Sequence, residues 1–193
     1  NYVVEVGIDA KKAINQICQD RNKVLLVGPR SLIKLFRIKE SKNLSIFETS
    51  DGESQKSVAT LDRIWKKCAS VGLDRQDAII GFGGGASTDV AGFAAATWLR
   101  GIIWYAIPTS LAGMVDASVG GKTGINAAGG KNLIGSFYSP SKVIIDTTFL
   151  EKLSDRDLSA GMAEVIKCGF ISDYKILNLV QDDVLDYSQL IYR

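Results

Sequence analysis

Short, continuous apolar runs that break at glycine or proline recur along the chain, and they leave few folds open. Val24-Leu25-Leu26-Val27 ends at Gly28-Pro29, and Asp77-Ala78-Ile79-Ile80-Gly81-Phe82 breaks into Gly83-Gly84-Gly85. Trp104-Tyr105-Ala106-Ile107 stops at Pro108, Lys142-Val143-Ile144-Ile145-Asp146 is a further run, and Leu44-Ser45-Ile46-Phe47 is a weaker one. Runs this short, without polar alternation, read as strands buried on both faces. Helices are expected between them. One follows Gly28-Pro29. A second runs from about Ser54 to Val71, with Val58, Leu61, Ile64, Trp65 and Cys68 at helical spacing and Gly72 as its stop, and an Ala-rich third runs from about Ser87 to Leu99. Strands alternating with helices imply parallel pairing through right-handed crossovers. The expected class is α/β, an open parallel Rossmann-like sheet with helices on both faces.

From Leu150 onward the texture changes to continuous helix-forming sequence. Leu158, Met162, Val165 and Ile166 share one apolar face, and acidic residues are dense from Asp182 to Asp186. This predicts an α/β domain over 1–150 and, over 151–193, the first helices of an all-α second domain that the chain does not complete.

Composition removes several function classes. The formal net charge of +2 is small, and no Lys/Arg block is interleaved with aromatics, so no nucleic-acid partner is expected. No apolar run approaches the length of a bilayer span, and the opening Asn1-Tyr2-Val3-Val4 lacks the order of a secretion signal, so a soluble cytoplasmic protein without a membrane partner is expected. Cys18, Cys68 and Cys168 are odd in number and far apart, which argues for small core residues rather than disulfides or a thiolate metal site. Histidine is absent altogether. That takes away the commonest neutral metal ligand and the usual general base, leaving Lys, Asp, Glu or a cofactor to carry chemistry.

Three segments combine polar groups in ways that matter. Gly81-Phe82-Gly83-Gly84-Gly85-Ala86 lies where a strand hands over to a helix and satisfies the relaxed G-x-G-x-x-A pattern. Glycines there admit a pyrophosphate to the free amides of the helix start, although a plain tight turn has the same composition. Asp89 falls on the first turn of that helix in this reading, where the helix dipole favours a carboxylate. Asp51-Gly52-Glu53-Ser54-Gln55-Lys56-Ser57 puts Glu53 and Lys56 at the start of the next helix, as a cap or as part of a site. Pro108 to Phe137 reads as a long packed loop carrying Asp116, Lys122, Asn126, Lys131 and Asn132, with Leu111, Met114, Val119 and Ile125 among its apolar anchors. Lysine and asparagine donors of this kind suit a small, multiply anionic substrate; a structural loop with solvated lysines is the alternative.

Taken together, these segments resemble the sugar-phosphate cyclases, and among them the 3-dehydroquinate synthase family. The resemblance runs through Asp51-Gly52-Glu53 with Lys56-Ser57, Gly83-Gly84-Gly85 with Asp89, Gly92-Phe93, Arg100-Gly101 and Pro108-Thr109. It continues through Asp116 to Asn126, Gly130-Lys131-Asn132-Leu133-Ile134-Gly135, and Gly161 with Ala163-Glu164-Val165-Ile166-Lys167. It implies an NAD-binding α/β domain packed on a helical metal and substrate domain, in a homodimer. NAD contacts are implied for Glu53, Lys56, Gly84, Gly85, Ala86, Asp89, Thr109, Ser110, Lys122 and Lys131. Catalytic and substrate roles are implied for Asp116, Lys122, Lys131, Asn132 and Lys167, with Arg100 reaching into the partner subunit's site. Glu164 matches the family's zinc-ligating (or cobalt-ligating) glutamate, whose two histidine partners are expected outside this chain. The implied reaction is a lyase step of the shikimate pathway: 3-deoxy-D-arabino-heptulosonate 7-phosphate cyclises to 3-dehydroquinate with release of phosphate. It uses NAD transiently, and this chain alone is expected to lack the complete zinc-dependent site.

Ser110, Ala127-Ala128, Lys152, Ser154 and Cys168 depart from the family's usual residues. Valiolone and inosose cyclases, polyol dehydrogenases and a non-catalytic NAD-binding domain are the competing readings. The unbroken Ser118-Val119-Gly120-Gly121-Lys122-Thr123-Gly124-Ile125-Asn126 favours dehydroquinate synthase, and the retained Lys122, Lys131, Asn132, Glu164 and Lys167 disfavour a pure scaffold.

Overall fold

A computed structural model describes residues 2–182 and 185–193; Asn1, and Asp183 of the acidic run, lie outside the described residues. The chain opens with strand β1 (Val3–Val6), helix α1 (Ala10–Asp20), β2 (Val24–Pro29), α2 (Arg30–Leu35) and β3 (Leu44–Thr49). After a 3-10 turn, Glu53–Gln55, come α3 (Val58–Val71), β4 (Ala78–Gly83), α4 (Gly85–Thr97) and β5 (Ile103–Pro108). A π-helical turn, Gly113–Ala117, precedes β6 (Lys122–Ala127), β7 (Gly130–Phe137) and β8 (Lys142–Ile145). A 3-10 turn, Thr147–Lys152, leads to α5 (Asp155–Ile171), α6 (Lys175–Val180) and α7 (Tyr187–Tyr192).

The main sheet has the order β1-β8-β5-β4-β2-β3, and every pair in it is parallel. Strands β2 and β4 are buried along their whole length, as unbroken apolar runs require. Helix α3 starts at the Ser57 cap and stops at Gly72, whose φ of 65° is left-handed. Helix α4 is apolar on every side because it is covered on every side: the sheet lies beneath it, with α3 and β6 against its flanks. Among the described residues, no helix is long and apolar enough to cross a membrane.

Two early elements were not expected. Strand β1 is a short edge strand with Val3 and Val4 exposed, so it carries little burial signal. Helix α1 was legible in retrospect, since Asp9 caps it and Ala10, Ile14 and Ile17 are its buried face. The stretch from Pro108 to Phe137 is not an irregular loop: the π turn and the antiparallel β6–β7 hairpin occupy most of it. Glycines hid the alternation, because Gly124 faces Gly135 across the ladder and supplies no side chain to either face. Of the cysteines only Cys68 is fully in the core, where burial pushes its thiol up to about 12; Cys18 and Cys168 are partly exposed.

Candidate functional site

Strand addition reverses direction at β2, which has β3 on one side and β4 on the other. The crevice outside the carboxyl ends of such strands is where open parallel sheets bind ligands. Here it is formed by Pro29 of β2 and by Gly83-Gly84-Gly85 between β4 and α4. Gly83 has a φ of 142°, and a Cβ there would lie 2.4 Å from the Ser87 hydroxyl oxygen. At Gly85 a Cβ would meet that of Ala117 at 2.7 Å. These two glycines therefore shape the turn, while Gly84, with an ordinary φ of −71°, faces little except the Ser110 hydroxyl. The amides of Gly85 and Ala86 head the helix, where no intrahelical acceptor exists, and they carry the positive end of its dipole. The Ser87 hydroxyl is buried there without a partner. Thr109 is tied to the turn by its amide, which donates to the Gly83 carbonyl at 2.9 Å.

Helix α4 begins two residues earlier than the sequence reading placed it. Asp89 is consequently beyond the first turn, and a different partner stabilises its charge. Lys56, almost wholly buried, donates to Asp89 Oδ2 at 2.5 Å and to the Asn132 side-chain carbonyl, with Glu53 Oε1 at 3.8 Å. The turn that delivers Lys56 is held by Gln55, which accepts from the Thr49 hydroxyl at 2.9 Å and donates to the Gly52 carbonyl at 3.0 Å. Burial raises the Asp89 pKa from its ordinary 3.8, and the hydrogen bond and charge of Lys56 oppose the rise. A carboxyl whose pKa is higher folded than unfolded gives its full stabilisation below the unfolded pKa and loses it as pH rises through the folded one. The stability of the protein relative to Asp89→Asn is therefore expected to fall as pH is raised above 3.8 in urea unfolding at successive pH values. A difference that grew instead would mean that Lys56 outweighs burial.

Beside this cluster lies a cavity of about 540 Å³ lined by Asp89, Asp116, Lys122, Gly124, Asn132 and Phe137. Asp116 comes from the π turn, and Lys167 of α5 donates to it at 2.9 Å and also to Glu164. The bond to Glu164, then that to Asp116, drive the Lys167 pKa upward. Both bonds favour the charged ammonium of this lysine. Helix α5 reaches Asp116 because Gly161 lets it lie against Leu111 and Ala112.

The fold thus gathers Glu53, Lys56, Asp89 and Asn132 in one cluster and Gly84, Gly85, Ala86, Thr109 and Ser110 at the turn. Asp116, Glu164 and Lys167 form a third group. Lys122 borders the cavity, and Lys131 is exposed on β7. Arg100 is not brought to these groups. It follows the far end of α4, about 20 Å of helix away from the glycine turn, in a left-handed stretch with φ of 50° at Leu99 and 68° at Arg100. Sequence reasoning missed Gln55 and treated Asn126 as a substrate donor, whereas both of its side-chain groups are bonded within the protein. Glu164 has no companion ligands: among the described residues no three His, Cys, Asp or Glu side chains converge on a metal position, and the sequence has no histidine. One carboxylate already paired with Lys167 does not make a zinc site.

The family model for the N-terminal part of 3-dehydroquinate synthase matches residues 46–160. The chain is 42% identical over 188 residues to the 3-dehydroquinate synthase of Mycobacterium leprae (strain TN), covering 94% of this chain and 52% of that protein. Against the 3-dehydroquinate synthase of Streptomyces avermitilis, identity is 51% over 189 residues, with 94% and 52% covered. The chain therefore spans about half the length of these relatives. Among solved structures, a 2-epi-5-epi-valiolone synthase from Streptomyces hygroscopicus subsp. jinggangensis, with NAD+ and Zn2+ bound, superposes with a TM-score of 0.81 at 28% identity, over 93% of this chain and 52% of that one. The glycine turn at the switch point, the clustered Glu53, Lys56 and Asp89, and a family match over more than half of the residues agree: the chain belongs to the 3-dehydroquinate synthase family.

Proposed function

We propose that this chain is the cofactor-binding part of a 3-dehydroquinate synthase, in which 3-deoxy-D-arabino-heptulosonate 7-phosphate is cyclised to 3-dehydroquinate and phosphate is released. The observation that carries the reading is the convergence of the Glu53–Lys56 turn and Asn132 on Asp89, beside the glycine turn at the switch point of the sheet. The residues present suit NAD. The amides of Gly85 and Ala86 take the pyrophosphate, Glu53 accepts from ribose hydroxyls, and Thr109 and Ser110 add hydroxyl donors. NAD, when bound, supplies a transient hydride acceptor and takes no part in the net reaction.

The chain's own groups do the rest. Lys122 and Asn132 border the cavity and Lys131 is exposed on β7. The two lysines offset the charge of the substrate's carboxylate and phosphate, the Asn132 carboxamide hydrogen-bonds to the substrate's polar groups, and Lys167, paired with Glu164 and Asp116, adds a further cation. The metal-binding residues do not fit within this chain alone, so a zinc or cobalt ion would need ligands besides Glu164. We infer further that residues 1–150 form the NAD-binding domain and 151–193 the beginning of a helical one. Arg100, displaced from its own chain's crevice, is suited to act in the site of a second copy in a homodimer. Identity of 51% to a dehydroquinate synthase, against 28% to a valiolone synthase, supports the first substrate over the second.

Calorimetric titration of NAD into the chain tests this reading. A Cβ at position 84 would meet only Ser110, with its hydroxyl oxygen at 3.3 Å, so Gly84→Val is expected to fold while filling the approach to the Gly85 and Ala86 amides. NAD affinity should fall at least roughly tenfold in that variant, the loss of about one good charge-assisted hydrogen bond. Unchanged binding would move the cofactor away from the turn.

A further inference from the structure

Asn126 stands where the two parts of the lysine cluster meet, and its backbone amide and both ends of its carboxamide are engaged. In the hairpin Ile125 pairs with Ile134 and Ala127 with Gly130, so Asn126 alone faces Lys131, Asn132 and Leu133. An irregularity of this kind interrupts the ladder and leaves an amide without a cross-strand acceptor. The Asn126 carboxamide supplies the acceptor: its Oδ1 takes the Asn132 amide at 2.8 Å. Its Nδ2 donates to Glu53 Oε1 at 2.8 Å, and its backbone amide donates to the Lys56 carbonyl at 2.9 Å. Asn132 is itself left-handed, with a φ of 56°, and in that conformation its side-chain carbonyl accepts from Lys56 Nζ.

We propose that Asn126 is a positioning residue that locks the bulge of the hairpin to the turn carrying Glu53 and Lys56, so that one carboxamide sets the cofactor side and the substrate side of the crevice together. Its effect on NAD binding rests on the cofactor reading given above. Only a carboxamide can perform both tasks. A carboxylate accepts from Asn132 but cannot donate, and it places like charge against Glu53; an apolar side chain strands both partners. The link makes cofactor binding and the order of the bulge mutually dependent, since any coupling between two binding regions is reciprocal.

Amide hydrogen exchange and NAD titration of the 193-residue chain and its variants test the proposal. In Asn126→Ala the Asn132 amide should exchange roughly tenfold faster or more, as expected for one lost hydrogen bond, while the amides of β4 keep their protection. In Asn126→Asp the Asn132 amide stays protected, and NAD affinity falls roughly tenfold through the repulsion of Glu53. With Glu53→Gln as the reference, the added Asn126→Asp meets a donor in place of a like charge, the roles of donor and acceptor being exchanged, and should cost little further NAD affinity. A merely structural loss would not depend on Glu53 in this way. Unchanged exchange at Asn132 in Asn126→Ala, or an Asn126→Asp loss of NAD affinity as large in the Glu53→Gln background as in the parent, overturns the proposal. If the unaltered chain takes up no NAD, the cofactor reading fails, and the exchange result at Asn132 decides the positioning role by itself.

Discussion

Replacing Lys56 with methionine is expected to cost about 3 kcal/mol of folding stability, the usual scale when one member of a buried ion pair is removed. The side chain of Lys56 is only 3% exposed and that of Asp89 only 17%, so water cannot take over the role of the ammonium. Methionine fills most of the volume, which confines the loss to electrostatics and hydrogen bonding. Asp89, already driven toward its neutral form by burial, loses both of the effects of Lys56 that oppose that drive. The Asn132 carbonyl loses its donor in the same step. Urea unfolding of Lys56→Met, Asp89→Asn and the double variant measures the coupling directly. The double variant should recover much of the loss, because the stranded carboxylate is what costs. If the double variant is as unstable as the sum of the singles, the contact contributes nothing and the cluster is held by packing alone.

The second large effect is expected at Gly161. A Cβ there would come within 2.5 Å of the Leu111 Cβ and 2.8 Å of the Ala112 amide nitrogen, and neither atom can rotate away. Gly161→Val must therefore push α5 off the segment after β5, at about 3 kcal/mol, the upper part of the usual range for overpacking. Helix propensity points the other way, since glycine inside a helix is roughly 1 kcal/mol worse than alanine. A Gly161→Ala variant separates the two. If it is more stable than the parent, α5 does not pack as closely as the structure has it; if it is less stable, the close approach outweighs propensity. The displacement also has a functional signature. Lys167 should lose Asp116 while keeping Glu164, three residues away on its own helix, and the Lys167 ammonium resonance should shift by NMR.

The core strands were legible because burial on both faces leaves an unbroken apolar run, and β2, β4 and β5 appear within a residue or two of where the sequence puts them. Edge strand β1 was not legible, because an edge position demands no such run. The hairpin was hidden for a related reason: alternation is a side-chain signal, and Gly124 and Gly135 contribute none. At the site, residue identities came from the resemblance and their grouping came from the fold. The start of α4 shows the difference. A helix beginning at Ser87 would leave Asp89 to the helix dipole, whereas one beginning at Gly85 hands Asp89 to a lysine 33 residues earlier in the chain.

Local sequence determined the strands of the core, the stops at Gly72 and Pro108, the glycine turn and the α/β class, since each depends on short-range sterics or on burial that a residue type reports directly. The tertiary structure alone decided that Lys56, Asn132 and Asp89 meet, that the Asn126 carboxamide belongs to the protein rather than to a ligand, and that Arg100 lies far from its own chain's crevice. Those facts depend on strand order and on the crossing of α4 over the sheet, and a hydrogen bond between residues 76 positions apart leaves no periodicity in the sequence to read.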